Sequence, residues 1–111
     1  MEVDVERREP GLAIVRLKGR LDLVSAPAVK NEFVKAVSDG ATRLIVDLSG
    51  VSFVDSSGLG ALIGGLRVAR TAGGDLRIAS PGEQARVILG LTTLDRVLTP
   101  HESVDAALAG F

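Results

Sequence analysis

Asp55-Ser56-Ser57-Gly58-Leu59-Gly60 sets a carboxylate beside two consecutive hydroxyls, downstream of the apolar run Leu44 to Leu48 and at the head of a segment with helical apolar spacing. The first backbone N–H groups of a helix lack internal partners, and the macrodipole is positive there, so a phosphate placed on a hydroxyl at that point is tolerated. Reversible phosphorylation is the chemistry this arrangement suggests. A second reading is purely local, because Asp and Ser are favoured helix N-caps.

Other chemistries find less material. Gly58, Gly60 and Gly64 do not have the G-x-G-x-x-G spacing of a dinucleotide loop and fall inside the helical pattern, and no Gly-Lys-Ser or Gly-Lys-Thr forms a phosphate loop. Serine hydrolysis would need a base near Ser56, yet His101 is the only histidine and the G-x-S-x-G elbow is absent. His101 is expected at a helix start or in solvent. Without cysteine, and with one histidine, a metal site has only scattered carboxylates to draw on, so neither metal nor cofactor is expected. The chain reads as non-enzymatic.

With 111 residues, 46% apolar and 24% charged, it suits one folded domain over residues 1–111. A net charge of −1 with dispersed Lys and Arg supplies no basic stripe for nucleic acid. The acidic, alternating start Met1 to Glu6 lacks the form of a secretory signal, and the apolar stretch Leu59 to Leu66 is far shorter than the roughly 20 residues a membrane-spanning helix needs. A cytoplasmic protein without membrane insertion is expected. The absence of Tyr and Trp leaves aliphatic packing to build the core.

The elements that position the hydroxyls follow from periodicity. Val3 to Val5 and Leu12 to Leu17 flank a polar turn, Arg7 to Gly11, and predict a hairpin. Ser25 to Asp39 predicts a first helix, with Pro27 near its start, Val29, Phe33, Ala36 and Val37 at helical spacing, and Gly40 as its stop. Thr42 to Leu48 predicts a buried strand, and Ser57 to Ala72 a second helix with Leu59, Leu62, Ile63, Leu66 and Ala69 inward. On that helix Ser57, Gly60, Ala61, Gly64 and Val68 form a stripe of small residues that either admits a docking partner or packs inside the domain. A strand over Asp75 to Ala79 precedes two capping boxes, Ser80 to Glu83 and Thr99 to Glu102, which predict helices over Pro81 to Leu89 and Pro100 to Ala109. Arg96-Val97-Leu98 between them is read as an edge strand. The alternation implies an α/β domain whose mixed, mostly parallel sheet packs with about four helices.

Several of these segments together resemble the STAS domain family, specifically its bacterial anti-sigma factor antagonists. They are Gly19-Arg20-Leu21-Asp22, the strand and loop from Leu44 to Val54, the signature Asp55 to Gly60, and Ser103 to Leu108. The resemblance implies that the unphosphorylated chain binds an anti-sigma factor with serine kinase activity and so frees a sigma factor. It also implies that the kinase phosphorylates Ser56 and that a serine/threonine phosphatase restores it. The expected switch surface is Asp22, Asp55, Ser56, Ser57, Gly58, Gly60, Ala61 and Gly64, with Asp22 joining the negative patch if the turn after Gly19 lies alongside. The alternative within the family is a STAS regulatory subunit of a lipid or anion transporter.

Overall fold

The computed structural model describes residues 1–111 as an α/β domain built on a five-stranded sheet of order β1-β2-β3-β4-β5. Its strands are β1 (Glu2–Glu9), β2 (Leu12–Leu21), β3 (Arg43–Val54), β4 (Asp75–Ala79) and β5 (Pro100–His101). The predicted hairpin joins β1 antiparallel to β2, and the later pairings are parallel, as crossover helices require. These helices are α1 (Ala26–Ser38), α2 (Ser56–Thr71), α3 (Glu83–Leu91) and the short α4 (Val104–Leu108).

Strand alternation divides the sheet into two faces. Ala13, Val15 and Leu17 of β2, Leu44, Val46 and Leu48 of β3, and Leu76 and Ile78 of β4 belong to the main core with the apolar stripes of α1, α2 and α3. The opposite face is covered in part by α4, where Ala107 meets Leu12, Ile14, Ile45 and Ala79. Its uncovered part is polar, with Arg16 bonded to Glu6 at 2.7 Å and 3.8 Å from Asp47. Helices α1 and α2 meet closely because Gly65 has no side chain: a Cβ there would stand 2.4 Å from Phe33 Cδ2, and Phe33 is fully buried.

Three expectations are corrected. β3 runs on through Val54, so Ser49 to Val54, expected as a loop, is strand, paired with β2 as far as Leu21↔Val54. Neither capping box forms. Ser80 has φ 53°, a left-handed conformation unlike the extended one an N-cap adopts, and it stitches β4 to β5 instead, its N–H donating to His101 O and its hydroxyl to Glu102 O. Gly82 takes the N-cap of α3, and α4 begins later than expected, capped by Ser103, whose Oγ accepts from Ala106 N at 3.0 Å. Pro100–His101 is therefore the edge strand, and His101 sits in it rather than at a helix start. The expected edge strand at Arg96 to Leu98 is replaced by a 3₁₀ turn over Leu94–Arg96, because Leu98 curls inward to complete burial and its N–H donates to Leu94 O.

No helix is long and apolar enough to cross a membrane.

Candidate functional site

The site grows from the ends of β2 and β3, which leave the sheet side by side. Asp55 N donates to Leu21 O at 3.2 Å, continuing the strand pairing one residue past β3. The Asp55 backbone is extended, as an N-cap requires, and its two carboxylate oxygens do different jobs. Oδ1 accepts from Gly58 N at 2.8 Å and closes the first turn of α2, while Oδ2 accepts from Leu23 N at 3.1 Å. The cap is thus also a tether to the turn 32 residues earlier.

That turn is organised by Asp22 and Ser25. Asp22 Oδ1 accepts from Val24 N at 3.1 Å and Ser25 N at 3.3 Å, and Oδ2 accepts from Arg20 Nε at 3.3 Å. Ser25 Oγ accepts from Asp22 N and donates to Arg20 O. The backbone bond from Ser25, followed by those from Arg20 and Val24, holds the Asp22 carboxyl below the ordinary Asp range. Arg20 also lies over the Phe53 ring, 4.4 Å from its centroid, joining the ends of β2 and β3 from outside. The turn therefore lies alongside the α2 start, the condition on which Asp22 enters the patch.

Ser56 is the first residue of α2 and is exposed, its hydroxyl making no hydrogen bond within the chain, whereas Ser57 is half-buried. Gly58 is buried because the β2 turn passes directly against it: a Cβ at Gly58 would lie 2.2 Å from Leu21 O. Of the small-residue stripe, Gly60 is exposed with open space above it, Ala61 is buried at 4% exposure, and Gly64 backs onto Lys30 of α1. The stripe divides accordingly, Ala61 and Gly64 serving the α1–α2 contact and Gly60 remaining outward. Beside it, Leu23, Ala26, Pro27, Ser57, Gly60 and Ala61 line a shallow groove. Leu23 lines it while 71% exposed, and Val24, next in the chain, is 88% exposed, so the two form an outward apolar rim at the turn. A second groove, lined by Ser56 and sharing Lys30 and Gly60 with the first, carries Arg67.

Sequence reasoning missed the rim, Leu23 and Val24, and it missed Gln84. The signal for the rim was present, since two large aliphatics follow Asp22 immediately before a helix whose own stripe has no use for them. Gln84 on α3 receives Val54 N at its Oε1 and donates from Nε2 to Val54 O, both at 2.8 Å. Nothing in its sequence neighbourhood marks it. No group of His, Cys, Asp and Glu is arranged to hold a metal ion.

Comparison with known proteins places the chain as a whole. The anti-sigma-B factor antagonist of Bacillus subtilis is 30% identical over 98 residues, 88% of either chain. The crystal structure of an anti-sigma factor antagonist from Mycobacterium paratuberculosis superposes with a TM-score of 0.85 at 30% identity, covering 97% of this chain and 91% of that one. The phosphorylated form of the Bacillus cell fate determinant SpoIIAA shares the fold at a TM-score of 0.73 and 23% identity, with 96% of each chain covered. The STAS domain model matches residues 3–107, and the chain accordingly belongs to the STAS domain family.

Proposed function

We propose that this protein is a cytoplasmic, non-enzymatic anti-sigma factor antagonist whose binding state is set by phosphorylation of Ser56. In the unphosphorylated form it binds an anti-sigma factor with serine kinase activity and so releases a sigma factor; a serine/threonine phosphatase resets it. The observation that carries the reading is the exposed Ser56 hydroxyl at the first position of α2, on a loop already fixed by Asp55 to a second turn. Both relatives at 30% identity bear the antagonist name, which favours this reading over a transporter subunit.

The electrostatics supply the switch. A phosphate on Ser56 adds about −1.5 to −2 charges beside Asp55 and near Asp22. Within the domain the α2 N-terminus offsets this by about 0.3–1 kcal/mol, and the exposed site lets water do the rest, so the fold survives. Across a docked interface the same charge is desolvated or set against like charge, at a cost of several kcal/mol. The outward apolar pair Leu23 and Val24, the groove floor at Gly60, and the flanking Lys30 and Arg67 give the partner a surface with the hydroxyl at its centre.

The test is mass spectrometry of proteins retained from the host lysate on wild-type, Ser56→Ala and Ser56→Asp baits. A kinase-type anti-sigma factor held by the first two and depleted on the third is the expected result. Transporter subunits held equally by all three would overturn it. Phosphate found only on Ser57 after incubation with the kinase would overturn the assignment of Ser56.

A further inference from the structure

We propose that Gln84 is a positioning residue for the Ser56 switch, its side-chain amide acting as the missing neighbour strand at the end of β3. This rests on the reading of Ser56 as the modified residue and names how that residue is held. β4 accompanies β3 only as far as Asp47↔Ala79, so from Leu48 to Val54 the β4 side of β3 has no strand beside it. Backbone N–H and C=O groups of one strand residue point to the same side, and those of successive residues alternate. Asp55 N turns toward β2 and reaches Leu21 O, which leaves the Val54 pair facing the vacated side.

Val54 is 1% exposed, so this pair has no access to water and must be met from within the protein. The Gln84 amide meets both groups at 2.8 Å, acceptor to N–H and donor to C=O, reproducing what a strand backbone would offer. Only one orientation of the amide satisfies both. Two consecutive residues before Ser56 are consequently clamped from opposite sides, Val54 by α3 and Asp55 by β2. Ser56 is the next residue, and its direction of exit is set by that clamp. Gln84 couples α3 to the hydroxyl without touching it.

The measurement is amide hydrogen exchange by NMR on wild type, Gln84→Met and Gln84→Glu. Met keeps the length and loses both polar groups; Glu keeps an acceptor for Val54 N and loses the donor, so it serves if the Met variant does not fold. Exchange at Val54 is expected to speed up about tenfold or more in Gln84→Met, because a buried pair left unmet opens readily. The decisive amides are Leu23 and Gly58, both bonded to the Asp55 carboxylate. Their exchange should quicken as well, with Leu44 to Val46 unchanged, and phosphorylation of Ser56 by the cognate kinase should slow in parallel. Leu23 and Gly58 exchanging as in wild type while Val54 quickens would overturn the proposal and leave Gln84 as an edge seal only. The exchange readout needs no partner. A wild-type Ser56 that the kinase ignores would therefore count against the functional reading and not against the clamp.

Discussion

At the scale of single residues, Asp22 and Asp55 are two carboxylates of the same turn cluster spent chiefly on backbone N–H groups, with Arg20 on Asp22 the one cation among their partners. The Asp22 carboxyl is held low chiefly by the Ser25 N–H. A group depressed in the folded state contributes stability above its unfolded value, about 3.9, and loses it as the pH falls through the lower folded value. Carboxyl titration by NMR should place Asp22 below that value, and Asp22→Asn should remove this component of the acid response. Asp55→Ala loses the α2 cap, for which about 0.5–2 kcal/mol is usual, and the tether to Leu23 as well. Denaturant unfolding should give a loss at or above the top of that range. The capping role was legible, because Asp is a favoured N-cap and stands directly before a helical apolar pattern. The tether was not, since it depends on which residues parallel pairing brings abreast, and Leu23 lies 32 positions away.

At the scale of elements, the fit of α2 against its neighbours hangs on hydrogen atoms where other residues carry carbon. Gly58→Ala would put a Cβ 2.2 Å from Leu21 O, backbone that cannot yield without opening the turn. Gly65→Ala would press on Phe33 at 2.4 Å, a side chain with no free space around it. Each should destabilise by about 1–3 kcal/mol in urea unfolding. Gly58→Ala should also reduce phosphorylation of Ser56, whereas Gly65→Ala should spare it, because only the first displaces the switch turn. Periodicity revealed α1, α2 and β4 because each has a face with one consistent apolar rhythm, and a continuous apolar run marked β2. It failed after Ala79, where Ser80-Pro81-Gly82-Glu83 carries the chemistry of a capping box while the backbone at Ser80 turns left-handed to reach β5. Local capping preference there yields to the need to join two strands. The two-residue β5 was beyond reach for the same reason, as its identity lies wholly in its pairing with Ile78 and Ala79.

At the scale of the whole molecule, the serine proposed as the switch sits on the rim and the core lies elsewhere: Ser56 is exposed while Phe33, Ile14, Leu17 and Leu44 are sealed. Stoichiometric phosphorylation should therefore shift the melting temperature by only a few degrees, the equivalent of under about 1 kcal/mol for a domain of this size. Partner affinity should fall tenfold or more in the same preparation. Coincident calorimetry and binding assays would check both, and a melting temperature lowered by more than about 10 °C would show that the charge acts on the fold instead. The two bonds that finish the loop, Asp55 to Leu23 and Gln84 to Val54, span 32 and 30 residues in opposite directions along the chain. Contacts of such separation close late, after the loops between them have been ordered. During synthesis the serine emerges well before α3, and if Gln84 sets the end of β3 as proposed, the loop takes the shape a kinase would read only once α3 has docked. On the proposed reading of Ser56, phosphorylation is therefore confined to chains whose α3 has already docked, and the kinase switches off only finished copies.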